Sequence, residues 1–291
     1  MKCSSRNEFF DPPRTRLCYP SFSNRVLMFE YAAIVPYLRC PRCREGGLRA
    51  DADGLFCPSC AGRLPLRDGI VDTLGDSSGQ VITPFQRLMQ SRAVVSIYEG
   101  IWRRAGYYVA SSRSFSRELD SVLRLQRGKP CERLLDLACG TSVFTRPLAR
   151  QCGGLVVGFD LSWPMLRHAR HLVRKDGLSN ILLMRGTAFR LPFVTGAFEY
   201  VNCCGALHLF DSPDAALDEI ARVLKPGGHF CAQTTIRPDH SAGMAPFLER
   251  RIRFGFFSQE ELLEKIRQRG FNILESERHR ISYTFVSRYL S

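Results

Sequence analysis

Leu134-Leu135-Asp136-Leu137-Ala138-Cys139-Gly140-Thr141-Ser142 decides how the rest of this 291-residue chain is read. An apolar run broken only by Asp136 makes a buried strand, and the small residues after it make a turn that opens a helix at about 144–151. Small side chains there let the backbone approach a ligand closely, and a helix N-terminus presents unpaired N–H groups. A second apolar strand, 155–159, ends at Asp160, 24 residues beyond Asp136. A carboxylate in that place accepts hydrogen bonds from two ribose hydroxyls. The glycine turn alone is a weak signal, since it holds one glycine of a three-glycine pattern; the two acids strengthen it.

Outward from this stretch, short apolar strands alternate with helices: strands at 181–185, 200–204 and 229–234, helices at 164–175 and 214–224, then a helix at 258–269 and closing strands at 271–277 and 281–288. Alternation of this kind predicts an α/β fold, a parallel sheet with helices on both faces. Lys225-Pro226-Gly227-Gly228 is expected to stop the helix before strand five. Before the sheet, helices are expected at 84–104 and 114–126. The domains expected are a poorly ordered leader over 1–35, a cysteine module over 36–75, a helical lid or linker over 80–128 and the α/β domain over 129–291.

The cysteine module rests on Cys40-Pro-Arg-Cys43 and Cys57-Pro-Ser-Cys60, separated by 13 residues. Each Cys-x-x-Cys presents two thiolates to one ion, and a hairpin turned at Asp53-Gly54 brings the knuckles together as a tetrahedral four-sulfur site, the pattern of structural zinc. Four thiolates leave no open position for catalysis. The other cysteines (3, 18, 131, 139, 152, 203, 204 and 231) show no such spacing and are expected to be small buried hydrophobes, with no disulfide framework.

Composition is that of an ordinary globular protein, 45% hydrophobic and 24% charged, which excludes a fibrous or wholly disordered chain. No stretch is apolar enough for a membrane span and no secretory signal is seen, so a cytoplasmic location is expected. The net charge of +13 is concentrated in 84–130, with nine basic against three acidic side chains. Such a surface fits RNA, a phosphorylated small molecule or a membrane surface, or no charged partner at all.

At this point the chain resembles class I S-adenosylmethionine-dependent methyltransferases. Asp136-Leu-Ala-Cys-Gly-Thr141 resembles the family's first motif, Val157-Gly-Phe-Asp160-Leu-Ser-Trp-Pro-Met165 the second, Arg190-Leu-Pro-Phe193 the segment near the adenine, Gly205-Ala-Leu-His208 the strand-four motif, and Arg222 to Gly228 the turn before strand five. It is most similar to the ubiquinone/menaquinone-biosynthesis branch carrying an N-terminal zinc ribbon. The resemblance implies a Rossmann-like seven-stranded sheet. It implies a cofactor site of Asp136, Ala138, Cys139, Gly140, Thr141, Asp160, Leu161, Met165, Thr187, Ala188, Phe189, Cys203 and Cys204. Two departures stand out: Ser142 replaces a glycine, and Thr187 replaces an acid that often contacts the adenine amino group.

His208 sits where the acceptor lies in this fold, and its ordinary pKa suits a general base; the alternative is a pocket-lining histidine. Tyr98, Trp102 and His240 are expected on the acceptor side with it, the first two in the helical lid. Three functions are open. The leading one is methyl transfer to a small molecule, quinone-like or a secondary metabolite. The others are a ribosomal-RNA base methyltransferase and a non-methylating S-adenosylmethionine-binding protein.

Overall fold

The computed structural model describes residues 31–51, 53–74, 103–129, 131–237 and 257–290. Four short strands come first: β1 (Arg49–Asp51), β2 (Gly54–Phe56), β3 (Arg63–Arg67) and β4 (Ile70–Asp72). Helices α1 (Arg103–Ser111) and α2 (Phe115–Gln126) follow. The α/β run is then β5 (Arg133–Leu137), α3 (Thr145–Gln151), β6 (Leu155–Asp160), α4 (Trp163–Lys175), β7 (Ile181–Arg185), β8 (Phe198–Cys204), α5 (Pro213–Val223) and β9 (Leu224–Thr235). It closes with α6 (Gln259–Arg267), β10 (Phe271–His279) and β11 (Ser282–Tyr289).

Local chemistry explains the helix starts. Ser114, Ser162 and Ser258 are N-caps whose hydroxyls accept from the N–H of Arg117, Met165 and Glu261, each satisfying one donor that the first turn leaves unpaired. On α4 the buried positions are Met165, Leu166, Ala169 and Val173, a stripe of helical period that faces the sheet.

The sheet has eleven strands, not seven, in the order β1-β2-β3-β4-β7-β6-β5-β8-β9-β11-β10. The expected seven are all present. The four extra strands come from the cysteine module, because β4 pairs parallel with β7 (Val71 with Met184, Asp72 with Arg185) and carries the sheet into the ribbon. Strands β4 to β9 run parallel through the centre, and β11 is antiparallel to β9. Alternating residues feed two cores. Leu134, Val156 and Tyr200 face α2, α3 and α4, whereas Leu135, Val157 and Val201 face α5, α6 and the ribbon.

Several expectations change. Tyr31 and Ile34 are buried, so the expected leader gives way to ordered core before residue 35; Tyr31 Oη donates to the Leu183 carbonyl at 2.7 Å. Residues 1–30 lie outside the described residues. A helix spans Arg103–Ser111, past the expected stop at 104; the rest of the helix expected from 84 lies outside the described residues. Strand five begins at Leu224: Phe198 pairs with Leu224 and Tyr200 with His229. Lys225 to Gly228 thus form a bulge inside β9, with Gly227 at φ +79°. Cys131 and Cys152 form a disulfide, Cα–Cα 5.4 Å, against the expectation that both are free thiols. Packing sets them side by side ahead of β5 and after α3. Cys139, Cys203, Cys204 and Cys231 are free and buried, as read from the sequence.

Candidate active site and cysteine cluster

Parallel strands place their C-terminal ends on one edge, and here the strand order reverses between β5 and β8, which opens a crevice at that edge. Strands β7, β6, β5 and β8 stand side by side there, so the turn 138–142, Asp160, the segment 187–189 and Cys203-Cys204 share that edge. In the turn, Ala138, Gly140 and Ser142 have φ of 57°, 55° and 65°. Left-handed residues alternating with ordinary ones make a concave nest of backbone N–H groups. Ser142 holds this conformation without being glycine, a strain of about 1 kcal/mol. The helix behind the turn spans the seven residues Thr145–Gln151 with Phe144 as its N-cap, where the sequence places it.

The two acids do different work. Asp160 Oδ2 accepts from Gly140 N–H and Oδ1 from Ser162 N–H, both at 2.8 Å, so one carboxylate joins the glycine turn to the start of α4. Asp136 is 2% exposed; its Oδ1 accepts from Asn202 Nδ2 at 2.6 Å and its Oδ2 from Thr145 Oγ1 at 2.5 Å. Asp136 thereby fixes the turn to β8 and α3. Asn202 and Thr145 were missed by sequence reading, although an asparagine in the apolar run of β8 was a signal, since a buried amide requires partners. Thr141 Oγ1 is buried with no hydrogen-bond partner among the described residues, a polar atom at the crevice suited to a polar ligand.

Thr187, Ala188 and Phe189 are half-buried after β7. Thr187 Oγ1 accepts from Phe189 N–H at 3.3 Å, and the Phe189 ring meets Phe210 edge to face at 5.7 Å. Leu161 is half-buried and Met165 buried beside them at the head of α4. Cys204 Sγ donates to Asn202 Oδ1 at 3.1 Å. Burial, reinforced by neighbouring Cys231 and Asp136, pushes the Cys204 thiol up, and burial does the same to Cys203 and Cys139. Protonated thiols are poor nucleophiles, so none of the three is set up to attack a substrate.

His208 lies in a short helical turn after β8, 7% exposed. Thr235 N–H donates to its Nδ1 at 3.3 Å, and Thr234 Oγ1 lies 3.2 Å from the same atom. The amide therefore fixes Nδ1 as acceptor and the neutral ring's proton on Nε2. Burial lowers its pKa to about 4 from the usual 6.5. The folded state thus resists protonation. Stability is full above pH ~6.5, falls as pH drops because the unfolded chain takes up the proton first, and levels off below about 4, a loss of up to about 3 kcal/mol. Urea unfolding of wild type and His208→Gln between pH 4 and 7 checks this. The expected result is a wild-type slope steeper than the variant's, which keeps the contribution of His229, whose pKa burial also lowers.

Of the remaining acceptor-side residues, Tyr98, Trp102 and His240 lie outside the described residues.

At the other end of the sheet, the sulfurs of Cys40, Cys43, Cys57 and Cys60 all lie within 4.8 Å of one another. Cys40–Cys60 and Cys43–Cys57 are 3.6 Å apart. A tetrahedral zinc with Zn–S of about 2.3 Å places its sulfurs about 3.8 Å apart, so the cluster has the right size. The two knuckles match: Arg44 and Ala61, each four residues after the first cysteine, have φ of 70° and 55°. A Cβ on Gly62 would lie 3.2 Å from Cys60 Sγ, a tight fit beside the cluster.

Residues 134–228 match the family described as methyltransferase domain. An uncharacterized chloroplastic methyltransferase of Arabidopsis thaliana is 28% identical over 249 residues, covering 77% of this chain and 69% of the relative. The demethylmenaquinone methyltransferase of Bacillus subtilis is 30% identical over 154 residues, covering 52% of this chain and 66% of the relative. The chain thus spans about two thirds of the length of each. Among solved structures, phosphoethanolamine N-methyltransferase 2 of Haemonchus contortus, in complex with phosphomonomethylethanolamine and S-adenosylhomocysteine, has the same fold. Its TM-score is 0.58 at 18% identity, covering 71% of this chain and 59% of that one.

The crevice and these similarities mark residues 134–228 as a methyltransferase domain. The similarities indicate an enzyme, an S-adenosylmethionine-dependent methyltransferase. No helix among the described residues is long and apolar enough to cross a membrane.

Proposed function

We propose that the enzyme methylates a small, quinone-like or secondary-metabolite acceptor, with one structural zinc in its ribbon. The observation that carries the cofactor half is Asp160, a carboxylate held by two backbone N–H groups at the crevice floor. In this reading Asp160 takes the ribose hydroxyls and the 138–141 turn lies along the methionine part. Leu161, Met165 and Thr187 to Phe189 surround the adenine. Thr187 Oγ1, which accepts from Phe189 N–H, keeps its own hydrogen to donate, so it meets an adenine ring nitrogen better than the amino group. The bound sulfonium supplies an electrophilic methyl. The chain's own task is alignment and exclusion of water, because the displacement is in line.

His208 takes its place on the acceptor side as a neutral imidazole. With its proton on Nε2 it orients an acceptor oxygen by donating to it, and it accepts a proton only if the tautomer shifts. Cys203 and Cys204, beside the methyl, keep the wall narrow. Cys40, Cys43, Cys57 and Cys60 hold the zinc as a closed set.

The acceptor class draws on the similarity to demethylmenaquinone methyltransferase. The test is incubation of the purified protein with methyl-labelled S-adenosylmethionine, a panel of hydroquinones and phenols, and total RNA. Label in the organic extract is expected; label confined to RNA overturns the small-molecule reading.

A further inference from the structure

The ribbon does more than extend the sheet. Its last turn grips the two segments that follow Asp160 and Arg185. Asp72, fully buried at the end of β4, accepts from Arg185 Nη1 at 3.1 and 3.3 Å through its two oxygens. The same Arg185 donates from Nε to the Leu161 carbonyl at 3.1 Å, and its guanidinium lies 5.4 Å from the centre of the Trp163 ring. One arginine therefore ties the ribbon to the backbone just beyond Asp160.

Thr73 makes the second tie. Its N–H and its hydroxyl both donate to the Arg185 carbonyl, at 2.9 and 2.7 Å, immediately ahead of Gly186 and Thr187. Gly186 in turn donates from its N–H to the Asp160 carbonyl at 3.0 Å. A Cβ on Gly186 would lie 2.5 Å from Thr73 Oγ1 and 2.1 Å from the Phe159 ring, so ribbon and crevice pack here without slack. A third tie runs from the Asp68-Gly69 turn to α4: Asp68 accepts from Arg167 Nε at 2.9 Å and the Gly69 carbonyl from Arg170 Nη1 at 2.5 Å.

We propose that Asp72 and Thr73 are positioning residues for the adenosine half of the cofactor: they set segments 160–163 and 186–189 through Arg185, making the ribbon part of the cofactor site's frame. The proposal rests on the cofactor assignment above. A buried carboxylate that neutralises one arginine, which then reaches a ligand-binding loop, holds that loop in one arrangement.

The test is calorimetric titration of the metal-replete full chain with S-adenosylhomocysteine and with 5′-methylthioadenosine, which lacks the amino-acid part. The expected result for Asp72→Asn and for Arg185→Gln is a Kd weakened about tenfold for both ligands at unchanged stoichiometry, with the double variant no weaker than either single one. Thr73→Val, which removes one hydrogen bond and keeps the shape, weakens binding by about threefold in the same way. A lowered stoichiometry with unchanged Kd in the remaining folded protein shows that these residues serve folding alone, and overturns the proposal. Failure of the wild type to bind either ligand overturns the cofactor assignment itself, a result the variant comparison cannot produce.

Discussion

Asp160→Ala is expected to weaken S-adenosylhomocysteine binding about a thousandfold, which takes it out of the micromolar range. A carboxylate accepting from two ribose hydroxyls makes two charge-assisted hydrogen bonds at roughly 2 kcal/mol each, and roughly 4 kcal/mol is three orders of magnitude in Kd. The substitution also releases Gly140 N–H and Ser162 N–H, which the same carboxylate holds at 2.8 Å. The loss therefore includes a loosened turn as well as two missing contacts. Asp160→Asn separates the two effects. Its amide oxygen keeps one acceptor for Ser162 N–H, but its NH2 faces Gly140 N–H, donor against donor, so binding recovers only in part. Calorimetry of wild type and both variants checks the order, with thermal unfolding to confirm that each is folded. Undiminished affinity in Asp160→Ala would place the ribose elsewhere and end the assignment.

Much of this site was legible because its signals are local. A strand that ends at an acid, a turn of small residues and a helix after it need only adjacent residues, so Asp136, Gly140 and Asp160 could be placed from sequence. The ribbon was legible for the same reason: two Cys-x-x-Cys knuckles at hairpin distance specify their own geometry. What sequence did not disclose is long-range. Thr145 and Asn202 reach Asp136 from 9 and 66 positions away, and nothing local marks them as its partners. Asp72 meets Arg185 across 113 positions. The docking of β4 on β7 depends on which sheet edge lies open once the domain has folded. Residues 225–228 misled for a different reason. Pro and Gly do end α5, but Leu224 pairs with Phe198 before them and His229 with Tyr200 after them, so tertiary pairing absorbs the break as a bulge. The Cys131–Cys152 disulfide joins residues 21 positions apart, in a pattern no motif carries.

Removal of one of the proposed zinc ligands is expected to have the largest effect on stability. Cys57 is fully buried, and Cys57→Ser leaves three thiolates at a site built for four. Binding of structural zinc provides much of the folding free energy of a small ribbon, on the order of 10 kcal/mol, because the unfolded chain has no preformed site. In an isolated ribbon that loss means complete unfolding. Here it spreads, because the ribbon shares a sheet with the catalytic domain. The ribbon's core residues Leu48, Leu55 and Leu64 belong to the same apolar cluster as Leu135, Val157 and Phe193, and the Leu38–Phe193 bridge joins the two segments directly. Cys57→Ser should therefore lower the melting temperature of the whole chain by 10 °C or more, on the basis of about 2–4 °C per kcal/mol for a domain of this size, and open the 40–67 segment to protease. Elemental analysis should give one zinc per wild-type chain and none in the variant, and chelation of the wild type should reproduce the variant's melting curve. Cobalt substitution supplies a separate check, since a four-thiolate tetrahedral site gives intense thiolate-to-metal absorption that oxygen or nitrogen ligands do not. A wild-type protein free of metal, with a melting temperature indifferent to Cys57→Ser, would show that the four sulfurs pack as thiols. Zinc content is the arm to measure first, because it separates a metal-built ribbon from one held by packing before any variant is made.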